Sequence, residues 1–354
     1  MPALEEYRRK RNPAATSEPM PTETAASSGN SFVIQEHHAS ALHWDFRLER
    51  DGVLVSWAVP KGLPVDPKVN RLAVHVEDHP LEYGGYEGHI GDGQYGAGSV
   101  TIWDSGTYDT EKWTDREVKV VLAGRRVQGR FVLFQTGAKN WMMHRMDGPA
   151  RSGWLPLPDQ LAPMHATTGS LPRGPGWAYE MAWSGVRAVA RIEGGRIELA
   201  TDDAAPTENS ASRFPELRAM AERMGTTQAL VDGILVRIAP DGRLDPAAAR
   251  VRLTGAANRA RDLAATQPVV YLTFDLLHLD GRSLLGRPYR ERRAALVEMV
   301  VDDPTWQVPP MFEGHGPAAR QLSRERGLDG VVAKRLSSPY RPGQSSTDWR
   351  VIAG

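Results

Sequence analysis

Between residues 31 and 146, seven short β-prone runs follow one another: FVIQ, GVLVSWAVP, RLAVHVED, GSVTIWD, VKVVLAG, GRFVLFQ and NWMMHRM. Gly, Pro and Asp separate them. Several short strands at this spacing can bury their apolar sides only against one another, so an all-β barrel or sandwich is predicted here. Within the same stretch, HHASALHWDFR (residues 37–47) carries His37, His43, Asp45 and Arg47 at odd positions, with Trp44 and Phe46 at even ones. Side chains alternate between the faces of a strand. One face of this strand is therefore apolar, and the other lines up imidazole, carboxylate and guanidinium.

Six of the ten histidines fall between residues 37 and 89. On a strand, His43 and Asp45 are i and i+2, about 7 Å apart at Cβ, so one metal ion can be reached by both. His37 would complete a His, His, carboxylate set suited to Mn²⁺, Fe²⁺ or Zn²⁺ rather than Ca²⁺. The chain has no cysteine, which excludes thiolate ligands and disulfides. Arg47 beside a metal suits a phosphate, which the guanidinium holds while the metal polarises it. A non-haem iron oxygenase uses the same ligand types and is the chemical rival.

The flanking sequence differs in character. Residues 1–30 are polar, with a basic run at Arg8–Arg11, and read as an arm. Residues 149–175, rich in Pro, Gly and Ser, read as a linker. From 176 to 354 helical and strand patterns mix: RFPELRAMAERMG and PYRERRAALVEMV read as amphipathic helices, VVYLTFDLLHL and GVVAKRL as buried strands. An α+β domain is expected there. A formal net charge of zero argues against sequence-blind DNA coating while permitting a local basic groove. No apolar run approaches a membrane span, and the N-terminus is too polar for a secretory signal, so no membrane partner and a cytoplasmic location are expected.

HHASALHWDFRLERDGVLVSWAVPKG, RLAVHVEDHPLEYGGYEGHI and GQYGAGSVTIWDSGTY closely resemble the 3′-phosphoesterase domain of the bacterial ligases of non-homologous end joining. That resemblance implies a small β-barrel (31–148) that trims 3′ ends with Mn²⁺, removing a 3′-phosphate or a terminal ribonucleoside. It implies that His37, His43 and Asp45 hold the metal. Arg47, His79 and Tyr83 fall on phosphate-handling and catalytic positions, and Arg71 on a further basic position near the site. Arg11 and Glu18 fall on functional positions of the family's arm, which would then fold over the site. Gly91 and Asp92 replace the usual Pro and Glu in a loop. His38, His75 and His89 have no assigned role and are expected at the surface or just behind the site.

GWAYEMAWSGVRAVARIEGGRIEL, VDGILVRI, YLTFDLLHLDGRSLLGRPYRERRAAL and GLDGVVAKRLSSPYRPGQSSTDW resemble the adenylation domain of ATP-dependent DNA ligases, an α+β nucleotidyltransferase (ATP-grasp-like) fold, over about residues 162–354. Such enzymes form a lysyl–AMP bond through the lysine of K-x-D-G-x-R. Here the motif reads Ala182-Trp183-Ser184-Gly185-Val186-Arg187, and Lys334 is the only lysine after Lys139. Ile234 replaces an expected Glu, Val351 and Ala353 replace expected lysines, and an expected Arg is replaced within LATDD. The sequence ends without the OB-fold that follows in a ligase. Adenylation is therefore not expected, and Arg187 and Lys334 would at most hold a nucleotide, leaving ATP binding doubtful. The expected whole is a Mn²⁺-dependent 3′-end phosphoesterase acting on DNA in break repair, with a Ku-type protein and a separate ligase or polymerase as partners. A ligase component completed by a second chain and a non-catalytic repair scaffold are the alternatives.

Overall fold

A computed structural model describes residues 4–13, 16–21, 28–148, 153–201, 213–239, 242–254, 259–300 and 303–354. Parts of the expected arm, the start of the expected linker, and Asp202 and Asp203 of LATDD lie outside the described residues. The chain divides into two compact units, Met1–Ser152 and Gly153–Gly354.

In the first unit, helix α1 (Glu5–Lys10) precedes nine strands: β1 (Ser31–His38), β2 (Leu42–Arg50), β3 (Val53–Val59), β4 (Arg71–His75), β5 (Gly88–Ile90), β6 (Gly98–Thr114), β7 (Glu117–Gly124), β8 (Gln128–Gln135) and β9 (Asn140–Arg145). Their order is β1-β2-β3-β4-β9-β8-β7-β6, and β6 pairs back onto β1. This closes an eight-stranded antiparallel barrel without free edges. β5 adds to the side of β6. The even-numbered residues of β2 (Trp44, Phe46 and Leu48) fill the interior with Trp57, Phe131 and Met143. The odd-numbered residues face outward, as period-two alternation requires.

The β2–β3 hairpin turns on Asp51-Gly52, both at positive φ (50° and 82°). This is the two-residue turn whose twist matches paired strands. It fixes the register, with Arg47 opposite Ser56. α1 docks on the outside of this wall. Tyr7 is fully buried with Leu4, Val53, Leu54 and Tyr83, and its hydroxyl donates to the carbonyl of Pro19 (2.8 Å).

The second unit is α+β. One sheet has the order β10 (His165–Thr168), β20 (Ser345–Ala353), β19 (Gly330–Arg335), β11 (Trp177–Met181), β18 (Phe312–Glu313). The other runs β13 (Arg196–Thr201), β12 (Val186–Glu193), β14 (Ala229–Val236), β15 (Val270–Leu279), β16 (Arg282–Ser283), with β17 (Trp306–Gln307) parallel to β15. Helices α2 (Arg218–Arg223), α3 (Pro246–Thr254), α4 (Ala260–Thr266), α5 (Tyr289–Met299) and α6 (Gly316–Glu325) complete it. The patterns read as helices at 213–225 and 288–300 become α2, after a short 3₁₀ turn, and α5; the two buried strands become β15 and β19.

The segment expected as a linker differs. Most of its described part is built into the second unit: β10 lies within it, and Leu157 and Met164 are buried against Val189, Leu230 and Tyr340. Leu155 donates its N–H to the carbonyl of Gly281 (2.7 Å). Its Pro- and Gly-rich composition masked a few well-spaced apolar anchors.

Candidate active site

The polar row opened by His37 lies on the outer face of the wall made by β1, β2 and β3. His37 and His43 are Cα partners across β1 and β2, with ring centroids 4.7 Å apart. His37 Nδ1 lies 3.5 Å from one oxygen of Asp45, and His43 Nε2 lies 3.7 Å from the other. One donor atom from each residue falls within 4.8 Å of the others. The remaining ring nitrogens are committed to carbonyls, His37 Nε2 to Gly96 (2.8 Å) and His43 Nδ1 to Ala41 (3.0 Å). A carbonyl can only accept, so each of those nitrogens carries the hydrogen. Two lone pairs and a carboxylate then face one another and repel unless a cation sits among them. Imidazoles that ligate metals are oriented in this way by backbone carbonyls, so the residues fit a metal ion.

Asp45 stays ionised. Burial pushes its carboxyl up, but the guanidinium of Arg47 outweighs burial and holds it well below the usual carboxylate range. Arg47, only 2% exposed, is fixed on three sides. It donates from Nη2 to Asp45 (2.9 Å), from Nε to Gln35 Oε1 (2.8 Å) and from Nη1 to Ser56 Oγ (2.9 Å). Gln35 is itself held through Nε2 by the carbonyls of Tyr83 (3.0 Å) and Tyr86 (2.9 Å). The guanidinium lies over the Tyr83 ring, 4.7 Å from its centroid. A guanidinium has five N–H donors; these contacts use three and leave two for a ligand.

The arm supplies the next layer. Arg11 pairs with Glu18 (3.0 Å) and with Glu77 (2.6 Å), and Lys10 also pairs with Glu77 (2.9 Å). Arg11 Nη2 approaches His79 Nε2 at 3.4 Å. His79 Nδ1 donates to the carbonyl of Glu77 (2.8 Å), and its ring stands edge-on to Tyr83 (4.7 Å) and Tyr7 (5.2 Å). Burial first, then the cations Arg47 and Arg11, pull its pKa well below the ordinary histidine value. His79 is therefore neutral at physiological pH. Burial pushes the Tyr83 phenol well above its ordinary value, so it remains a donor.

Of the residues read from the sequence, the structure brings together His37, His43, Asp45, Arg47, His79, Tyr83, Arg11 and Glu18. It places Arg71 elsewhere. Arg71 starts β4 opposite Met143 and shares the barrel's interior face with Ala73, whereas its exposed neighbour Leu72 points out. That is the face opposite to the cluster. His38 pairs with Glu36 (2.8 Å) and His89 with Ser99 (3.2 Å) at the surface. His75, expected at the surface or just behind the site, lies instead between Trp57 and Trp141, because its parity on β4 points it inward. Gln35, Ser56, Glu77 and Gly96 were not singled out. The one available signal was parity: Gln35 is two residues before His37 on the same face. Gly96, at φ +76°, adopts a conformation that few other residues take, and so presents its carbonyl to His37.

In the second unit, Ala182 donates its N–H to Gly330 (2.9 Å), and the Ser184 hydroxyl hydrogen-bonds Asp329. Arg187 grips Asp232 with two contacts of 2.6 Å, and Asp232 also accepts from Tyr340 (2.6 Å). Lys334, 2% exposed, pairs with Glu180 (2.6 Å) and lies over Phe274 (3.9 Å) and Trp349 (4.5 Å). Burial pulls its pKa down. Ile234 lies on β14 opposite Arg187, and Val351 is exposed on β20.

Residues 35–135 match the family model of the DNA Ligase D 3′-phosphoesterase domain, and residues 163–351 match that of the ATP dependent DNA ligase domain. The chain is 43% identical over 353 residues to a multifunctional non-homologous end joining protein LigD of Mycobacterium bovis, covering 98% of this chain and 44% of that protein. It is 33% identical over 402 residues to LigD of Pseudomonas aeruginosa, covering 98% and 46%. The solved ligase domain of Mycobacterium tuberculosis LigD aligns over 55% of this chain and 60% of that one, at 30% identity and a TM-score of 0.45. The chain thus spans less than half the length of these LigD relatives. The family matches mark a 3′-phosphoesterase-type module followed by a ligase-type module. The chain belongs to the family of the ATP dependent DNA ligase domain, whose model matches more than half of it, and its first part matches the DNA Ligase D 3′-phosphoesterase domain.

Proposed function

We propose that this chain is a Mn²⁺-dependent 3′-end phosphoesterase of DNA break repair, and that its ligase-type module does not adenylate itself. The observation that carries the first part is the convergence of two lone-pair nitrogens and an ionised carboxylate beside a fixed guanidinium with two donors to spare. His37 Nδ1, His43 Nε2 and Asp45 would hold the metal, which when bound supplies Lewis-acid polarisation of a phosphoryl oxygen and an activated water. Arg47 aims its remaining donors at the other phosphoryl oxygens, where charge develops. Arg11 closes the site from the arm side, held by Glu18 and Glu77. Neutral His79 donates its Nδ1–H to the Glu77 carbonyl, which fixes its tautomer. Burial and then the cations Arg47 and Arg11 depress its pKa; a phosphate dianion bound nearby would offset the cations and raise it, so that Nε2 could take a proton from solvent and pass it to the leaving 3′ oxygen.

For the ligase-type module the support is chemical. Ala182 offers no amine, and Lys334 is buried in an ion pair with Glu180 and so cannot serve as a free nucleophile. Sealing would then fall to another ligase. A primer ending in 3′-phosphate, incubated across Mn²⁺, Mg²⁺ and Zn²⁺, tests the first part: phosphate release is expected with Mn²⁺. No release with any metal refutes it. Incubation with labelled ATP and Mg²⁺ tests the second: a stable protein–AMP adduct refutes it.

A further inference from the structure

Tyr95 is a large aromatic left half exposed at the rim of this site (50%). Its backbone neighbour Gly96 carries the carbonyl that fixes His37 (2.8 Å), so the ring is tied through one peptide to a residue of the metal cluster. The ring is also held from the arm. Lys10 Nζ donates to the Tyr95 hydroxyl (3.2 Å) and lies 4.4 Å from the ring centroid. The Arg11 guanidinium lies 5.4 Å from the same centroid and 4.0 Å from that of Tyr7. Both cations are anchored by Glu77, directly beside His79. An exposed aromatic normally costs side-chain entropy to hold in one place; here two cations and a short backbone tether hold it, next to a phosphate site.

We propose that Tyr95 is a positioning residue that stacks on the terminal nucleobase of the strand whose 3′ phosphate enters the site. This rests on the phosphoesterase reading above and names how that site takes a nucleic acid end rather than a small phosphate ester. Stacking is tolerant of base identity, because every base has a π face. Tyr95 would thus give affinity for a nucleotide terminus without sequence preference. The Lys10 and Arg11 cations on the ring would stay near the backbone phosphates of the same strand.

The test compares the wild type with Tyr95→Ala, Tyr95→Phe and Tyr95→Trp on a 3′-phosphate primer, on the same primer with an abasic terminal nucleotide, and on p-nitrophenyl phosphate. Tyr95→Ala is expected to raise KM for the primer about tenfold with little change in kcat. Tyr95→Phe and Tyr95→Trp should keep the wild-type KM. The abasic primer should bring wild type and Tyr95→Ala together, and the small ester should not distinguish them. With EDTA present, a terminal 2-aminopurine should be quenched on binding to wild type and not to Tyr95→Ala. An unchanged KM in Tyr95→Ala overturns the proposal, as does an equal loss in Tyr95→Phe, which would assign the effect to the hydroxyl held by Lys10. A wild type inactive on every 3′-phosphate end overturns the phosphoesterase reading, and the stacking role with it.

Discussion

Replacing Arg47 by Lys keeps the charge and removes the fork. The guanidinium spans Asp45, Gln35 and Ser56 at 2.8–2.9 Å. A lysine ammonium is a compact point charge that can meet one of these partners. Two charge-assisted hydrogen bonds are lost, each worth about 1.5–3 kcal/mol. Water reaches a site this buried poorly, so about 3 kcal/mol of the loss should persist. For a unit near 150 residues, that lowers its melting transition by roughly 6–12 °C. The two donors left for substrate also lose their aim, which should cost about 10²–10³ in kcat/KM. Differential scanning calorimetry and phosphate release from a 3′-phosphate primer read the two effects separately. If Arg47→Lys melts within about 2 °C of wild type and keeps activity within threefold, the three-point clamp contributes neither stability nor alignment, and the reasoning from its geometry fails.

His43→Ala and Asp45→Ala each remove one ligand from an outward-facing row, so circular dichroism should stay native while phosphate release falls below roughly a hundredth of wild type; full activity with Mn²⁺ in either variant would remove the cluster from the mechanism. Ala182→Lys should yield no protein–AMP adduct by intact mass, because Ser184 and Ile234 still replace the acidic residues expected around the nucleotide; an adduct would mean the lysine alone was missing. Burial, then Glu6 and Glu77, push the Asp78 carboxyl up to about 6. Its folded pKa is above its unfolded one, so the stability it contributes is present at low pH and lost as pH rises through 6. Asp78→Asn should therefore raise the melting transition at pH 7.5, and by progressively less as pH falls from 6 toward 4; an equal gain at both ends would contradict that shift.

The barrel was legible because strand alternation is a strict period of two: the same parity that put Trp44 and Phe46 inside put His43, Asp45 and Arg47 on one outer face. The Asp51-Gly52 turn and its consequence were not legible. Only the register it sets places Ser56 opposite Arg47, and a serine in a strand has no signature of its own. Glu77 is an ordinary acidic residue until α1 folds back and hands it Lys10 and Arg11. Arg71 shows the converse. Its position in the resemblance suggested the site, while its parity with Ala73 sends it to the interior. The linker was misjudged for a related reason, since composition averages over a window and overlooks single anchors such as Leu157 and Met164.

Charge balance at the site links metal and phosphate. The side chains that build it pair three cations, Lys10, Arg11 and Arg47, with three buried carboxylates, Glu18, Asp45 and Glu77, while the partly exposed Glu6 also meets Lys10 from the solvent side. His79 is neutral, and the tautomers of His37 and His43 leave their lone pairs toward Asp45. A divalent cation added to this balanced set leaves an excess of +2 in a poorly solvated place. A phosphate monoester, with a charge near −1.5 to −2 at pH 7, cancels that excess. Without the metal, the same phosphate would meet Asp45 as an uncompensated neighbour. The two ligands should therefore bind cooperatively, and by reciprocity each should tighten the other by at least about fivefold. Titration of Mn²⁺ followed by electron paramagnetic resonance, with and without inorganic phosphate, measures this directly. An Mn²⁺ affinity unmoved by phosphate would mean that the two sites do not share one electrostatic balance, and that Arg47 is there to hold Asp45 rather than substrate.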